Sequence, residues 1–274
     1  MKRILCIIAA LALSACAGSS AYVPTGKIEV LWTGQAGVRI TTLSGKVIMV
    51  DPWVRTNPKT PAQYKNLDAL GKIDLILVTH AHFDHFVDAP DLAKKNNAPM
   101  YGPAGLGTTV ANLEILPEKL APRFGKGGTI MPFGPGGVKI TATHAEHSSE
   151  LVWKNPATGK NETHPGGEPV GYVIELENGF TIYHMGDTGP FGDLKFIGEH
   201  YKPDLILILI GGHFVLSPSD AAYVTNEWLK PKFAIPIHYG TIPVLKGTPA
   251  EYIQALGNTS VKVMALQPGE KATF

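Results

Sequence analysis

The hydrophobic residues of this chain fall into short runs separated by turn residues, a pattern typical of β-strands. Three runs that predict successive strands lie at 27–33, 38–43 and 46–51. The last two are joined by Ser44-Gly45, a sequence typical of hairpin turns. The run D-L-I-L-V-T at 74–79 is apolar at consecutive positions and predicts a fully buried strand. The chain is therefore expected to begin as a sheet of meandering strands.

Later runs add helices to this pattern. Strands are predicted at 138–144, 171–177, 180–184, 204–210, 233–238 and 261–266, and helices at 88–97, 103–113, 190–200, 218–229 and 248–257. Asn178-Gly179 predicts a hairpin turn between two of these strands. In the last third of the chain, predicted helices alternate with predicted strands. Two halves that each mix sheet and helix favour a layered α/β sandwich. Because no linker separates the halves, we predict a single domain over 27–274.

The N-terminus has the composition of a targeting segment. Met-Lys-Arg precedes a ten-residue apolar run and then L-S-A-C at 13–16, which resembles the lipobox of bacterial lipoproteins. This predicts a signal peptide over 1–15, a lipid on Cys16 and a tether over 16–26. The protein would then be anchored to a membrane of the bacterial cell envelope, facing the periplasm or the exterior. The alternative is an ordinary signal peptide with a chance cysteine.

Composition restricts the chemistry available to this chain. Its 274 residues are 44% hydrophobic and 17% charged, enough to form a sizeable core. The formal net charge of +1 argues against a nucleic-acid partner and leaves a small-molecule substrate as the expected one. Of the two cysteines, cleavage would remove Cys6 and acylation would occupy Cys16. Catalysis must then use histidines, carboxylates, hydroxyls and bound water.

The stretch T-H-A-H-F-D-H-F at 79–86 concentrates metal-ligand residue types directly after a predicted strand. His80 and His82 are two residues apart, so their side chains are expected on one face, where they can converge on one cation. Asp84 and His85 follow after the chain has turned and are expected to face a second position nearby. Two adjacent ions explain this spacing more easily than one. The alternative is a polar loop of solvated histidines.

Three further polar clusters follow apolar strands, where sheet proteins collect functional groups. They are T-H-A-E-H-S-S at 143–149, H-M-G-D-T at 184–188 and P-I-H-Y-G at 236–240. Any one of them alone indicates a capped strand end with a hydrogen-bonded histidine. Four clusters in matching positions predict one site.

These motifs resemble those of a known superfamily. H-A-H-F-D-H at 80–85 resembles the H-x-H-x-D-H signature of the metallo-β-lactamase superfamily, and the later clusters follow in that superfamily's order. The stretches G-D-T-G-P-F-G-D, I-G-G-H-F and P-I-H-Y-G-T-I-P resemble a branch of metal-dependent hydrolases related to L-ascorbate-6-phosphate lactonase. The resemblance implies an α/β fold, a four-layer αββα sandwich, with a dinuclear metal site at one edge.

The resemblance also implies a ligand set. His80, His82 and His147 would hold the first ion. Asp84, His85 and His238 would hold the second, and Asp187 would bridge the two ions. His144 is an alternative to His147, but the family places this ligand before a small hydroxyl residue, as in A-E-H-S-S. His144 would then either support the ligands without binding metal or have a purely structural role.

Other residues near the motifs receive expected roles. Asp51 matches a family aspartate that orients the ligand loop, although an Asp-Pro turn at a strand end is an alternative. His184 and His213 each either orient a substrate oxyanion or form hydrogen bonds without a chemical role. Four aromatic residues beside the motifs are expected to form apolar walls: Trp53, Phe83, Phe191 and Phe214.

The implied chemistry is hydrolysis. Two divalent ions would lower the pKa of a bridging water towards about 7, and the resulting hydroxide would attack a lactone, ester or phosphodiester-type substrate. Asp84 would be a ligand and would also hold or shuttle the proton of this water. The ligands suit zinc, which we favour, but also manganese, iron or nickel. The alternative is an iron-dependent oxidoreductase of the same fold, similar to sulfur dioxygenases, which keep H-x-H-x-D-H.

Overall fold

The computed structural model of the chain describes residues 26–274. The predicted signal peptide, Cys16 and nearly all of the predicted tether lie outside these residues, so the lipid anchor and the localisation stay predictions. Within the described part of the chain, no helix combines the length and the apolar character needed to cross a membrane.

The structure contains two seven-stranded sheets, a small hairpin and helices on the outer faces. The strands are β1 Glu29–Gly34, β2 Gly37–Thr41, β3 Val47–Val50, β4 Leu75–Leu77, β5 Met100–Pro103, β6 Arg123–Phe124, β7 Thr129–Ile130, β8 Lys139–His144, β9 Glu150–Lys154, β10 Asn161–Pro165, β11 Val170–Glu175, β12 Thr181–His184, β13 Leu205–Leu209, β14 Phe233–Ile237, β15 Lys262–Val263 and β16 Lys271–Thr273. The helices are α1 Phe83–Phe86, α2 Ala89–Asn96, α3 Ala104–Asn112, α4 Asp193–Tyr201, α5 Pro218–Tyr223 and α6 Pro249–Leu256. Helix α5 continues as a π-helical segment, Val224–Leu229.

Both sheets combine antiparallel and parallel pairs. The first has the order β16-β1-β2-β3-β4-β5-β6 and the second the order β15-β14-β13-β12-β11-β8-β7. Strands β3, β4 and β5 run parallel in the first sheet, as do β12, β13, β14 and β15 in the second. The polar clusters follow β4, β12 and β14 of these parallel groups and the antiparallel strand β8. The strand ends therefore bring them to one edge of the sandwich.

Three hydrophobic cores separate four layers. The central core lies between the two sheets and includes Val30 and Leu77 of the first sheet and Tyr172 and Leu207 of the second. A second core joins the first sheet to α2 and α3, and a third joins the second sheet to α4, α5 and α6. This arrangement is the αββα sandwich that the sequence predicts.

Strand β3 shows how the sequence produces this layering. Ile48 and Val50 lie in the central core, whereas Val47 and Met49 lie in the core against the helices. Because both faces are covered, the run V-I-M-V is apolar throughout instead of alternating.

The two predicted hairpins are confirmed, since β2 pairs with β3 and β11 with β12 in antiparallel fashion. Strands β9 and β10 are largely exposed and lack the signal of a buried strand.

Helix α4 lies close to the π-helical segment at Gly198. A methyl group at this position would overlap the Trp228 carbonyl oxygen and lie 2.8 Å from Leu229 Cα. We expect Gly198→Ala to lower the free energy of unfolding by about 1–3 kcal/mol because backbone cannot yield as a side chain can.

Gly192→Ala, at the start of α4, is the matched control, because a Cβ atom there meets nothing within 4 Å. We expect it to change stability by no more than about 0.5 kcal/mol. Urea titrations of both variants measure the difference, and equal stabilities would contradict this description of the contact.

Candidate metal centre

The seven predicted ligands lie together at the edge of the sandwich. They form three overlapping groups, in each of which the ligand atoms lie within 4.8 Å of one another. These groups are His80, His82 and His147; His80, His85 and Asp187; and Asp84, His85 and His238. Because the middle group shares His80 with one end group and His85 with the other, the cluster is one continuous centre.

The loop that carries the first four predicted ligands is held by Asp51. Strand β4 ends at Leu77, so the alternation of a strand does not bring His80 and His82 together. Instead, the fully buried Asp51 accepts hydrogen bonds from the Thr79 amide (2.7 Å), the Thr79 hydroxyl (2.7 Å) and His85 Nδ1 (2.8 Å). The bond to Nδ1 leaves His85 Nε2 facing the centre, which supports the predicted orienting role of Asp51.

His80 and His82 converge at one end of the centre. His80 Nε2 lies 2.9 Å from His82 Nδ1, and His82 Nε2 donates to Glu150 Oε2 at 3.0 Å. His82 therefore presents Nδ1 to the cluster while Glu150 holds its opposite nitrogen. Sequence reasoning did not find Glu150, because the only available signal was its position three residues after His147, at the start of the exposed strand β9.

The Asp187 carboxylate contacts histidines from both ends of the centre. Its Oδ1 lies 3.3 Å from His85 Nε2, and its Oδ2 lies 3.0 Å from His238 Nε2 and 3.8 Å from His147 Nε2. This position between the two end groups is the one expected of a bridging ligand.

Gln35, in the turn between β1 and β2, is a second residue that sequence reasoning missed. Its fully buried side chain donates from Nε2 to Asp84 Oδ2 at 2.8 Å, and Nε2 also lies 2.8 Å from His238 Nε2. The main chain adds a further contact, because the His238 amide donates to the Gln35 carbonyl at 3.0 Å. Gln35 is thus placed to fix Asp84 relative to His238.

The remaining predicted histidines lie outside the three groups. His184 is fully buried, donates to the Ala36 carbonyl (2.9 Å) and accepts from the Gly186 amide (3.2 Å), as expected of a histidine without a chemical role. His144 contacts Glu146 and Lys126. His213 is exposed, with its ring 4.3 Å from that of Phe214.

The predicted apolar walls are present in part. A cavity of about 290 Å³ borders the centre, and Phe83 and Phe214 line it. Trp53 is buried and packs edge-on against Phe83 with ring centroids 5.3 Å apart, so it supports the wall from behind. Phe191 packs instead against His144, with ring centroids 4.8 Å apart. The expectation that Phe191 lines the pocket is therefore wrong.

Buried charges in the centre compensate one another. Burial acts to lower the pKa of both His85 and His238, but the surrounding carboxylates, Asp187 foremost, together outweigh it. They raise the pKa of His85 well above its usual value and that of His238 to about 9. Burial acts to raise the pKa of Asp84 and Asp187, but the neighbouring histidines hold both values below the ordinary range. For His80, burial and the nearby His85 lower the pKa.

These residues fit divalent metal ions. His85 Nε2 and Asp187 Oδ1 are buried without a hydrogen-bond partner, although they lie 3.3 Å apart. Coordination would give both atoms a partner and would replace the protons on His85 and His238 with a cation. Imidazole nitrogens with carboxylate oxygens are an ordinary donor set for such ions.

Comparison with known proteins agrees with this fold and centre. The model of the beta-lactamase superfamily domain matches residues 46–239. UPF0173 metal-dependent hydrolases are similar to this chain: that of Polaromonas sp. is 63% identical over 250 residues, covering 91% of each chain, and that of Polynucleobacter asymbioticus is 55% identical, covering 98% of this chain and 95% of the relative. Igni18, a metallo hydrolase from Ignicoccus hospitalis, has a similar structure, with a TM-score of 0.75, 30% identity and coverage of 90% of this chain and 98% of that one.

The sandwich and its histidine–aspartate centre define a metal-dependent hydrolase of the metallo-β-lactamase type. This chain belongs to the beta-lactamase superfamily, within the group of UPF0173 metal-dependent hydrolases.

Replacing Asp51 with asparagine tests its hold on the ligand loop. The asparagine side chain offers one acceptor oxygen where three donors now converge, so we expect Asp51→Asn to weaken metal binding about 10–100-fold. Competition with a chromogenic chelator measures this affinity.

Asp88→Asn is the control for that substitution. Asp88 is also a buried carboxylate, but it accepts from the Val54 amide and from Arg55, and it belongs to none of the three groups. This variant is expected to lose stability while keeping its metal affinity. Equal metal affinities in the two variants would contradict the role given to Asp51.

Metal binding is expected to release protons. His85 and His238 carry raised pKa values, about 9 for His238, so both are protonated at pH 7 in the metal-free protein. Because only neutral imidazole binds a metal, about two protons should leave these residues on loading, and apparent affinity should rise with pH below about 9. Calorimetric titrations in buffers of different ionisation enthalpy count the protons. An affinity that does not change between pH 6 and 8 would contradict the pairing with Asp187.

Proposed function

We propose that this protein is a dinuclear metal hydrolase acting on a lactone, ester or phosphodiester-type bond. The observation that carries the proposal is the overlap of the three ligand groups, with the Asp187 carboxylate between the histidines of the two ends. His80, His82 and His147 would hold one ion, and Asp84, His85 and His238 the other, with Asp187 as the bridge.

Two divalent ions, when bound, would supply hydroxide at neutral pH by lowering the pKa of water towards about 7. The side chains of this chain position the reaction around that chemistry. Asp84 borders the cavity and is ionised at neutral pH, because the histidines hold its pKa down. It therefore acts as a hydrogen-bond acceptor that orients the attacking water, and Gln35 keeps the carboxylate in place through the bond to Oδ2.

We infer that zinc is the metal. Five of the seven ligands are histidines, and imidazole suits zinc, although manganese, iron and nickel accept the same donors. Iron would direct the same ligand set towards oxygen chemistry. The absorbance spectrum of the purified protein separates these outcomes, because zinc is colourless and iron is not.

Removal of the metal should abolish activity. We expect the purified protein to lose hydrolysis of simple esters, lactones or phosphodiesters on incubation with a chelator, and to regain it on addition of the metal. Activity that is indifferent to the chelator would contradict the proposal.

Two neighbouring histidines provide a matched pair for the same assay. His147→Ala removes a proposed ligand and should lower kcat/KM, and the affinity for the ion beside His80 and His82, by at least about 100-fold. His144→Ala removes a histidine three residues away that contacts Glu146 and Lys126, and it should leave both quantities nearly unchanged. Metal analysis with steady-state kinetics measures both. Loss of metal affinity and activity in His144→Ala, but not in His147→Ala, would reassign the ligand to His144.

A further inference from the structure

The cavity beside the metal centre has two chemically distinct parts. One part consists of proposed metal ligands together with Ser148. The other consists of the apolar side chains of Phe83, Phe214 and Ile242. A substrate whose reacting bond lies at the ligands must therefore place its adjoining atoms against hydrocarbon.

The apolar part is exposed to a degree that is unusual for such side chains. Phe83 is 58% exposed and Phe214 is 54% exposed. Trp53 packs edge-on against Phe83, so this ring is supported from behind while its other surface stays accessible. Large apolar side chains grouped around a cavity mark a surface that binds an apolar partner.

The charge of the cavity lining also bears on the choice of substrate. Of the described residues that line it, none is lysine or arginine, whereas Asp84 and Asp187 contribute carboxylates. A phosphate or carboxylate at a distance from the reacting bond would find no guanidinium or ammonium group there. The lining therefore favours an uncharged substrate over a phosphorylated one.

We propose that the substrate is an uncharged carboxylic ester or lactone whose hydrocarbon chain lies between Phe83 and Phe214. This inference rests on the proposed hydrolase function and narrows its substrate class. In the reaction, the oxygen of water adds to the carbonyl carbon and the bond from this carbon to the ester or ring oxygen breaks. One proton of the water goes to that leaving oxygen and the other to solvent, so the products are a carboxylate and an alcohol.

The size of the cavity limits the length of this chain. Its volume of about 290 Å³ is at the lower end of the range for small-molecule sites, which is about 300–1,000 Å³. Each methylene buried against the two rings should improve binding by about two- to fourfold. The improvement should end after a few methylenes, when the chain reaches solvent.

Equilibrium binding tests the inference without requiring turnover. The probes are linear alkyl hydroxamates, from acetohydroxamate to octanohydroxamate, titrated calorimetrically into the metal-loaded protein. We expect the Kd to fall by about two- to fourfold for each added methylene before it levels off. A carboxylate at the end of the chain should remove this gain.

Variants of Phe83 and Phe214 test whether these two rings cause the dependence of Kd on chain length. Phe83→Ala and Phe214→Ala should each reduce the dependence of Kd on chain length. Phe196→Ala is the matched control, because Phe196 is 56% exposed but lies on α4 and packs against His200 and Tyr201. It should leave the dependence unchanged.

The outcomes separate this inference from the proposed function. A Kd that is independent of chain length, or a dependence that survives in both phenylalanine variants, would overturn the inference. Parallel assays with p-nitrophenyl esters of the same chain lengths test hydrolysis itself. Hydrolysis without any dependence on chain length would retain the proposed function and reject the apolar substrate. Hydroxamate binding that strengthens with chain length, without hydrolysis, would retain the apolar binding surface and reject the proposed function.

Discussion

The centre depends on one buried carboxylate, that of Asp51 at the end of β3. An unpaired carboxylate in a dry core costs several kcal/mol, so Asp51 is stable there only while Thr79 and His85 donate to it. The same three hydrogen bonds fix the start of the ligand loop and the orientation of the His85 ring. A single requirement for charge compensation thus couples the packing of β3 against β4 to the geometry of the ligands.

The same requirement extends across the rest of the centre. Asp84 and Asp187 are buried among histidines, and their carboxylates are compensated by protons on His85 and His238 in the metal-free protein. Divalent ions would replace these protons and keep the compensation. Because the proposed ligands follow strands of both sheets, the two sheets must be packed before the site is complete, and the central core between them maintains this packing.

The fold and the predicted ligands could be read from the sequence because burial and residue type leave a local pattern there. The elements and contacts that were missed leave no such pattern. Strands such as β3 are found because burial on both faces produces a continuous apolar run. The grouping of the seven predicted ligands is found because histidines and aspartates cluster after such runs. Strands β9 and β10 are exposed, so burial leaves no pattern there. Glu150 and Gln35 are missed because their partners lie 68, 49 and 203 positions away. Neither a polar residue at the start of an exposed strand nor one in a turn carries a signal of such distant contacts.

In the proposed centre, two ions share one continuous set of seven ligands. The number of metal ions per chain, determined by elemental analysis and located by anomalous diffraction from crystals of the metal-loaded protein, tests it most directly. We expect two ions, one beside His80, His82 and His147 and the other beside Asp84, His85 and His238, with Asp187 contacting both. A single ion per fully loaded chain, or a second ion away from these residues, would contradict it.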